Sequence, residues 1–217
     1  MTAKKPIIQK FPDFKLEDNH DGAACGLDEV GRAPLAGPVT ASCVYIPDNQ
    51  KHHGFIKEIR DSKKLSRKKR EALYDQITGY FAYAITDIMQ EDVDRLNIHH
   101  ASLQAMARSY ETMCKNFSLQ PDLALIDGKF APAMPCKTMT VIKGDNVSIS
   151  IAAASIIAKV HRDRYMEQLH NKYPHYGWNT NAGYPTKQHL DAIKEHGITA
   201  HHRRSFSPIK HYNSLAS

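Results

Sequence analysis

The sequence predicts an α/β fold: a mixed five-stranded sheet flanked by helices, with a helical C-terminal portion. Apolar stretches of strand and helix character follow one another in an order that is typical of a sheet covered by helices. The length of 217 residues suits one domain with an appendage, and a hydrophobic fraction of 41% can fill a core. We expect a flexible lead-in over residues 1–20, a main domain over 21–172, and a loop–helix extension over 173–217 that packs on that domain.

The first half of the predicted sheet comes from apolar runs separated by turns. Strands are expected over 23–28 and 38–46, and the short connection with Gly and Pro indicates an antiparallel pair. Ser66 is a candidate N-cap for a helix that ends at Gly79. The alternation of apolar side chains over 80–89 then predicts a third strand.

The second half alternates helices with short strands. Its predicted elements are a helix over 91–115 with a break near Asn97, a strand over 123–126, a strand over 139–142, a helix over 147–171 and a last helix over 186–196. The long helix begins with many Ala and Ser residues, so it can lie close against a sheet. The order of strands and helices favours a mixed sheet with helices on both sides.

Composition narrows the classes of function. A formal charge of +6 favours nucleic acid or another polyanion as a partner, although it shifts the odds by only about a factor of two. The four cysteines are widely spaced and contain no C-x-x-C pair, which argues against a zinc ribbon and fits reduced thiols. No apolar run reaches the roughly 18 residues of a membrane span. We therefore expect a cytoplasmic protein that does not enter a membrane.

Three acidic positions follow predicted strands: Asp28-Glu29, Asp127 and Asp145. Each has an ordinary alternative, since strand ends collect acids, Asp127-Gly128 can be a turn and Asp145 can cap a helix. Ligand sites in α/β sheets form beyond the carboxyl ends of strands, so we expect these four side chains to converge. Clustered carboxylates suit hard divalent cations, and two such ions suit phosphodiester hydrolysis.

For the adjacent acids Asp28 and Glu29 to serve one site, both side chains have to point to the same place. Neighbouring side chains on a regular strand point to opposite faces. We therefore expect the first strand to end or to bulge between Asp28 and Glu29, so that both can reach one site.

Basic residues offer candidate contacts to phosphate. Lys63 and Lys64 lie at a helix start, which is a favourable place for phosphate binding, and Lys143 lies next to Asp145. Two further residues, Arg162 and Arg164, are predicted on the long helix. They can neutralise phosphates or pair with acids along the same helix. The run His202-Arg203-Arg204 either belongs to a nucleic-acid face or packs the tail.

The chain resembles a known family through six stretches in order. They run from about Cys25 to Phe206 and read GLDEVGRAPLAGPV, DSKKLS, LALIDGK, KGD followed by SIAAASIIAKVHRD, GYPTKQHL, and HHRRSF. In these stretches the chain is similar to ribonuclease HII, the type 2 ribonuclease H.

The resemblance implies a ribonuclease H-like catalytic domain over 21–172. It implies endonucleolytic cleavage of RNA in RNA–DNA hybrids and 5′ of single ribonucleotides in duplex DNA, leaving 3′-hydroxyl and 5′-phosphate ends. The family's catalytic, metal-binding carboxylates fall on Asp28, Glu29, Asp127 and Asp145, with Mg²⁺ or Mn²⁺ as cofactor and two ions in catalysis. Expected partners are RNA–DNA hybrids and ribonucleotide-containing duplex DNA. We expect a monomer that acts in ribonucleotide excision during DNA replication and repair.

The resemblance also assigns substrate recognition. The family's ribose-sensing Gly-Arg-Gly motif falls on Gly31, Arg32 and Ala33, and the tyrosine that packs on the neighbouring sugar falls on Tyr184. Ala33 departs from the family pattern. If the turn needs φ > 0 there, alanine costs roughly 1 kcal/mol. If it does not, the methyl group can still crowd the sugar.

Two other functions stay open at this point. One is a different ribonuclease H-like nuclease, such as a junction resolvase, that uses the same acids on another nucleic acid. The other is a duplex-binding module in which the acids are only structural.

Overall fold

The sheet is the frame that places every candidate residue. The computed structural model describes residues 11–212. Within that range the strands are β1 Ala24–Val30, β2 Val39–Tyr45, β3 Ala82–Ile88, β4 Leu123–Asp127 and β5 Lys137–Val141. Their order is β3-β2-β1-β4-β5, in which β2 is antiparallel to both β1 and β3, whereas β1, β4 and β5 are parallel to one another. The predicted mixed five-stranded sheet is confirmed.

Helices cover both faces of this sheet. Within the described range they are α1 Lys15–Asp18, α2 Arg67–Tyr80, α3 Gln90–Leu96, α4 Ile98–Phe117, α5 Ile149–Lys172, α6 Trp178–Asn181, α7 Lys187–His196 and α8 Ile209–Tyr212. One face packs against α3 and α4, and the other packs against α2 and α5. None of the helices described is long and apolar enough to cross a membrane.

Close packing joins α5 to β1. The first turns of α5 are rich in Ala and Ser, and Ala152 to Ala154 are fully buried. Gly26 of β1 completes this fit, because a Cβ atom there would collide with the backbone of Ser150 and Ile151. The small residues therefore bring the start of α5 directly against the strand that carries Asp28 and Glu29.

The C-terminal portion packs on the rest of the chain through its own apolar cluster. Trp178 is fully buried there beside Met166 of α5, Ile193 of α7 and the segment Leu35-Ala36. The indole Nε1 of Trp178 donates a hydrogen bond of 3.1 Å to His189 Nε2. This cluster joins residues beyond α5 to the turn that follows β1. The division into ranges 1–20, 21–172 and 173–217 stays a prediction.

The lead-in predicted for residues 1–20 lies partly outside the described residues. In the described part, α1 places Glu17 against the start of α5. The carboxylate of Glu17 accepts hydrogen bonds from the Ser148 hydroxyl at 2.6 Å and from the Ser150 amide at 3.1 Å. An acid at a helix N-terminus also interacts favourably with the helix dipole, so Glu17 helps to fix α5.

Some boundaries differ from the sequence expectation. The break near Asn97 is confirmed, since Asn97 has φ = 61° and its side chain caps α4 by accepting from the His99 and His100 amides. Gly79 does not end α2, which continues to Tyr80. The loop at the start of the predicted loop–helix extension contains the short helix α6.

Substitution of Gly26 tests the close packing of α5. We expect Gly26→Ala to lower the free energy of unfolding by about 1–3 kcal/mol, because the new methyl group would push α5 away from β1. A matched control is Gly79→Ala on the exposed side of α2, where a Cβ atom meets nothing within 4 Å. That change should raise the free energy of unfolding by about 0.5–1 kcal/mol. Urea unfolding measures both, and an unchanged Gly26→Ala variant would contradict this account of the packing.

Candidate active site

Two of the candidate acids lie side by side at the carboxyl edge of the sheet. The parallel register pairs Leu27 with Ile126, so Asp28 and Asp127 occupy the next positions on β1 and β4. Side chains in register on adjacent strands point to the same face. Asp28 is buried on the α5 side, where its Oδ1 accepts a 2.7 Å hydrogen bond from the Glu29 amide.

Glu29 reaches the same place without the strand end or bulge that the sequence analysis expected. That expectation was wrong, because β1 stays in regular register with β2 through Val30. The physical reason is that the pairing of β1 with β4 stops after Leu27, so no strand separates the two faces of β1 beside Glu29. Both acids therefore line one cavity of about 390 Å³ together with Asp127.

The fourth acid is tied to the third through the backbone. Asp127 Oδ1 accepts a 2.6 Å hydrogen bond from the Gly144 amide, which precedes Asp145. Asp145 is buried in a 3₁₀ turn, and its Oδ1 accepts from Asn146 Nδ2 at 2.7 Å. Asp145 does not line the 390 Å³ cavity. It lies close enough to Asp28 to raise the pKa of that carboxyl.

Burial and mutual repulsion disfavour the charged forms of these acids. Burial is the main cause that raises the pKa of Asp28 well above its ordinary value, and the charges of Glu29, Asp127 and Asp145 raise it further. Burial also raises the pKa of Glu29, against the opposing effect of Arg32, whose Nη1 lies 3.6 Å from Glu29 Oε1. The pKa values of Asp127 and Asp145 are raised as well, again mainly by burial.

Two contributors to this electrostatic environment were missed by sequence reasoning. The hydroxyl of Ser155 on α5 lies beside Asp28 and partly lowers the pKa of that carboxyl. The charge of Asp61, after burial, raises the pKa of Asp145. Asp61 opens the DSKK stretch, where it caps a 3₁₀ turn by accepting from the Lys63 amide at 2.9 Å. The signal that could have drawn attention to Asp61 is its place at the start of the DSKKLS stretch.

The donor set suits a hard divalent cation. All four candidate ligands are carboxylates, and a cation would relieve the repulsion that raises their pKa values. Within residues 11–212, no three or more His, Cys, Asp or Glu side chains are already arranged to hold a metal ion. Mg²⁺ needs no such cage, since it binds through one or two carboxylates and keeps several waters.

The turn after β1 faces the same cavity. Gly31, Arg32 and Ala33 line it together with Tyr184, which is 41% exposed. Gly31 has φ = 90°, and a Cβ atom there would lie 2.7 Å from the Pro38 carbonyl oxygen, so only glycine fits. Ala33 is not among the residues with positive φ. Alanine therefore carries no backbone penalty at position 33, and only its methyl group distinguishes it from glycine.

The candidate lysines are placed unequally. Lys63 lines the cavity with the acids. Lys64 is hydrogen-bonded to Asn146 instead, and Lys143 has a left-handed backbone with φ = 56°. Lys159 on α5, which sequence reasoning missed, also lines the cavity and pairs with Asp163 at 2.6 Å. The structure thus brings one predicted lysine and one further lysine to the site.

The arginines of α5 take different positions from those expected. Arg164 pairs with Glu71 of α2 and lies at the surface. Arg162 is 1% exposed, so it does not meet a phosphate, and its guanidinium donates to backbone carbonyls instead of to an acid on its helix. Arg203 of the tail is likewise buried, which decides that His202-Arg203 packs the tail. Both buried arginines bond to the backbone near the cavity.

Comparison with known proteins decides the family. A family model described as Ribonuclease HII matches residues 25–209. The chain is 47% identical to the ribonuclease HII of Wolbachia pipientis subsp. Culex pipiens, over 93% of this chain and 98% of that protein. The chain belongs to the ribonuclease HII family. It is therefore a hydrolase of the ribonuclease H type and an endonuclease, in a family that acts on RNA in RNA–DNA hybrids.

Solved structures agree on the ribonuclease H fold. The ribonuclease H2 of Pyrococcus horikoshii OT3 has a TM-score of 0.71 at 23% identity, covering 89% of this chain and 98% of that one. Bst-RNase HIII in complex with Mn²⁺ has a TM-score of 0.72 at 19% identity, covering 90% of this chain and 70% of that one. The predicted ribonuclease H-like architecture is confirmed for this ribonuclease HII family member.

The raised pKa of Asp28 predicts how stability depends on pH. Because the folded protein binds this proton more tightly than the unfolded chain, stability falls as pH rises from the ordinary aspartate pKa towards the raised value. We expect Asp28→Asn to raise the free energy of unfolding at neutral pH without divalent cations. Below about pH 3 the two proteins should be equally stable, since the carboxyl is then neutral in both states.

Urea unfolding in EDTA between about pH 3 and pH 8 measures this difference. Asp122→Asn is the control, because Asp122 is exposed and its pKa is lowered by backbone hydrogen bonding and by His20. That change should not stabilise the protein at neutral pH. A lower stability of Asp28→Asn at neutral pH would show that the charge of Asp28 is not destabilising.

Proposed function

We propose that this protein cleaves RNA in RNA–DNA hybrids and 5′ of single ribonucleotides embedded in duplex DNA, leaving 3′-hydroxyl and 5′-phosphate ends. One observation carries the proposal. Asp28, Glu29 and Asp127 line the same cavity as the Gly31–Ala33 turn and Tyr184. Acids for phosphodiester hydrolysis and groups suited to sensing a ribose therefore face one substrate.

The cofactor we propose is Mg²⁺ or Mn²⁺, with two ions during catalysis, held by Asp28, Glu29, Asp127 and Asp145. A bound divalent cation would polarise the phosphate and lower the pKa of an attacking water. The all-carboxylate donor set and the raised pKa values of these acids support this assignment. The Mn²⁺ complex of Bst-RNase HIII is consistent with it, although that likeness is one of fold.

Residues around the acids supply orientation and charge. Arg32 pairs with Glu29 and can hold that carboxylate in place. Lys63 lines the cavity and is the strongest candidate for a phosphate contact, whereas Lys64 and Lys143 are weaker candidates in the same role. The backbone of Gly31–Ala33 and the hydroxyl and ring of Tyr184 suit recognition of a ribose 2′-hydroxyl, which distinguishes RNA from DNA.

The cellular setting follows from this substrate. We propose that the protein acts as a cytoplasmic monomer in ribonucleotide excision during DNA replication and repair. All four cysteines are free thiols, which supports a reducing compartment.

The two alternative functions predict different cleavage patterns. A junction resolvase would cut without needing a ribonucleotide, and a duplex-binding module would not cut at all. Membership of the ribonuclease HII family favours neither. A DNA duplex with one ribonucleotide, an all-DNA duplex of the same sequence and an RNA–DNA hybrid, each tested with Mg²⁺ and Mn²⁺, separate the three functions.

Removal of one acid tests its catalytic role. We expect Asp127→Asn to lower kcat by about a hundredfold or more, because metal-assisted catalysis supplies several kcal/mol to the transition state. Binding of a hybrid should remain close to wild type, since the acids do not supply attraction for phosphates. The control is Asp122→Asn at the opposite end of β4. Normal turnover by Asp127→Asn would remove this acid from the reaction.

Substitution of Ala33 by glycine tests ribose recognition. The backbone of Ala33 is unstrained, so its methyl group in the cavity is the only relevant difference. We expect Ala33→Gly to raise kcat/KM several-fold on a duplex with one ribonucleotide, mainly by lowering KM, with unchanged thermal stability. Steady-state kinetics and a melting curve measure these effects. An unchanged KM would mean that the methyl group does not meet the sugar.

A further inference from the structure

Two fully buried arginines hold the turn that follows β1. The guanidinium of Arg203 donates to the carbonyl oxygens of Gly31 at 2.6 Å, Arg32 at 3.0 Å and Gly37 at 3.0 Å. These bonds join the tail to the start and the end of the turn. Five N–H donors in a planar fork allow one side chain to reach several carbonyls at once.

Arg162 reaches the same turn from α5. Its guanidinium donates to Pro38 O at 2.9 Å, to Ala36 O at 3.0 Å and to Ala182 O at 2.9 Å. Ala182 lies two residues before Tyr184. Arg162 therefore connects the turn of β1 to the loop that carries Tyr184.

Backbone contacts complete this connection. The Leu35 amide donates to Gly183 O at 2.8 Å, and a Cβ atom at Gly183 would lie 2.6 Å from Ala36 O. The turn and the Tyr184 loop thus touch directly, Arg162 bonds both of them, and Arg203 bonds the turn. Their separation is fixed by these bonds.

The burial of these two cations is costly. Among residues 11–212 neither arginine forms an ion pair, and burial lowers the pKa of Arg203 to about 9 and of Arg162 to about 10. A buried charge needs compensation, and here backbone carbonyls provide it. An apolar residue would pack the same space without this cost. Compared with an apolar residue, the arginines add hydrogen bonds to the turn.

We propose that Arg162 and Arg203 are positioning residues for ribonucleotide selection, which hold the Gly31–Ala33 backbone at a fixed distance from Tyr184. Neither guanidinium is bonded to the four acids, so the pair acts on substrate recognition and leaves metal binding alone. This inference rests on the proposed function, in which the turn and Tyr184 read the ribose.

Conservative substitution tests the proposal. Lysine keeps the charge of Arg203, but its three donors share one nitrogen, so it cannot reproduce the planar fork whose separate nitrogens reach the three carbonyls. We expect Arg203→Lys to lower kcat/KM on a duplex with one ribonucleotide by about tenfold to a hundredfold, mainly through KM, because a small displacement of a positioning group has effects of that size. Arg162→Lys should act in the same direction. The Mg²⁺ concentration for half-maximal rate should stay at the wild-type value.

The matched control is Arg164→Lys, two residues from Arg162 on the same helix. Arg164 bonds Glu71 at the surface and does not reach the turn, so its substitution should leave KM unchanged. Circular dichroism melting is recorded for each variant. If the loss of activity follows unfolding at the assay temperature, or if kcat and the Mg²⁺ requirement change while KM does not, the two arginines are structural only and the proposal is wrong.

Wild-type KM in both lysine variants would overturn it as well. These results differ from a failure of the proposed function, in which the wild-type protein itself does not nick a duplex with one ribonucleotide.

Discussion

Repulsion between carboxylates in a poorly hydrated corner of the sheet is the constraint around which this site is built. Asp28 and Asp127 are neighbours on parallel strands, and Glu29 joins them where β4 stops. The surroundings offset part of the repulsion: Ser155 partly lowers the pKa of Asp28, Arg32 faces Glu29, and the Gly144 amide donates to Asp127. The remaining excess of negative charge is what attracts a divalent cation.

The four acids and the groups proposed to recognise the ribose are held in place by different parts of the structure. The acids lie on buried strands and on a turn bonded to β4, so the sheet itself sets their positions. The groups that we propose to face the substrate lie in loops, which have no strand pairing to fix them. Arg162 and Arg203 supply that support from a helix and from the tail. The C-terminal portion thereby contributes to the site without placing a charged group in it.

The features that depend on local sequence patterns could be predicted from the sequence. Strand periodicity located the sheet, the break near Asn97 was expected, and the acids that follow strands include the three that line the cavity. Features set by distant parts of the chain were not predictable in this way. The end of the β1–β4 pairing, which frees Glu29, depends on register between segments about a hundred residues apart. The burial of Arg162 and Arg203 depends on carbonyls 124 and 172 residues away, against the usual exposure of arginine.

The position of Trp178 has a spectroscopic consequence. It is the only tryptophan, and it is fully buried between Tyr176, with which it stacks, and His189. Its fluorescence therefore reports on the C-terminal cluster alone, whereas far-ultraviolet circular dichroism reports on all the helices and strands. Comparison of the two signals along one denaturation curve would show whether the support of the substrate-facing turn is lost together with the sheet or before it.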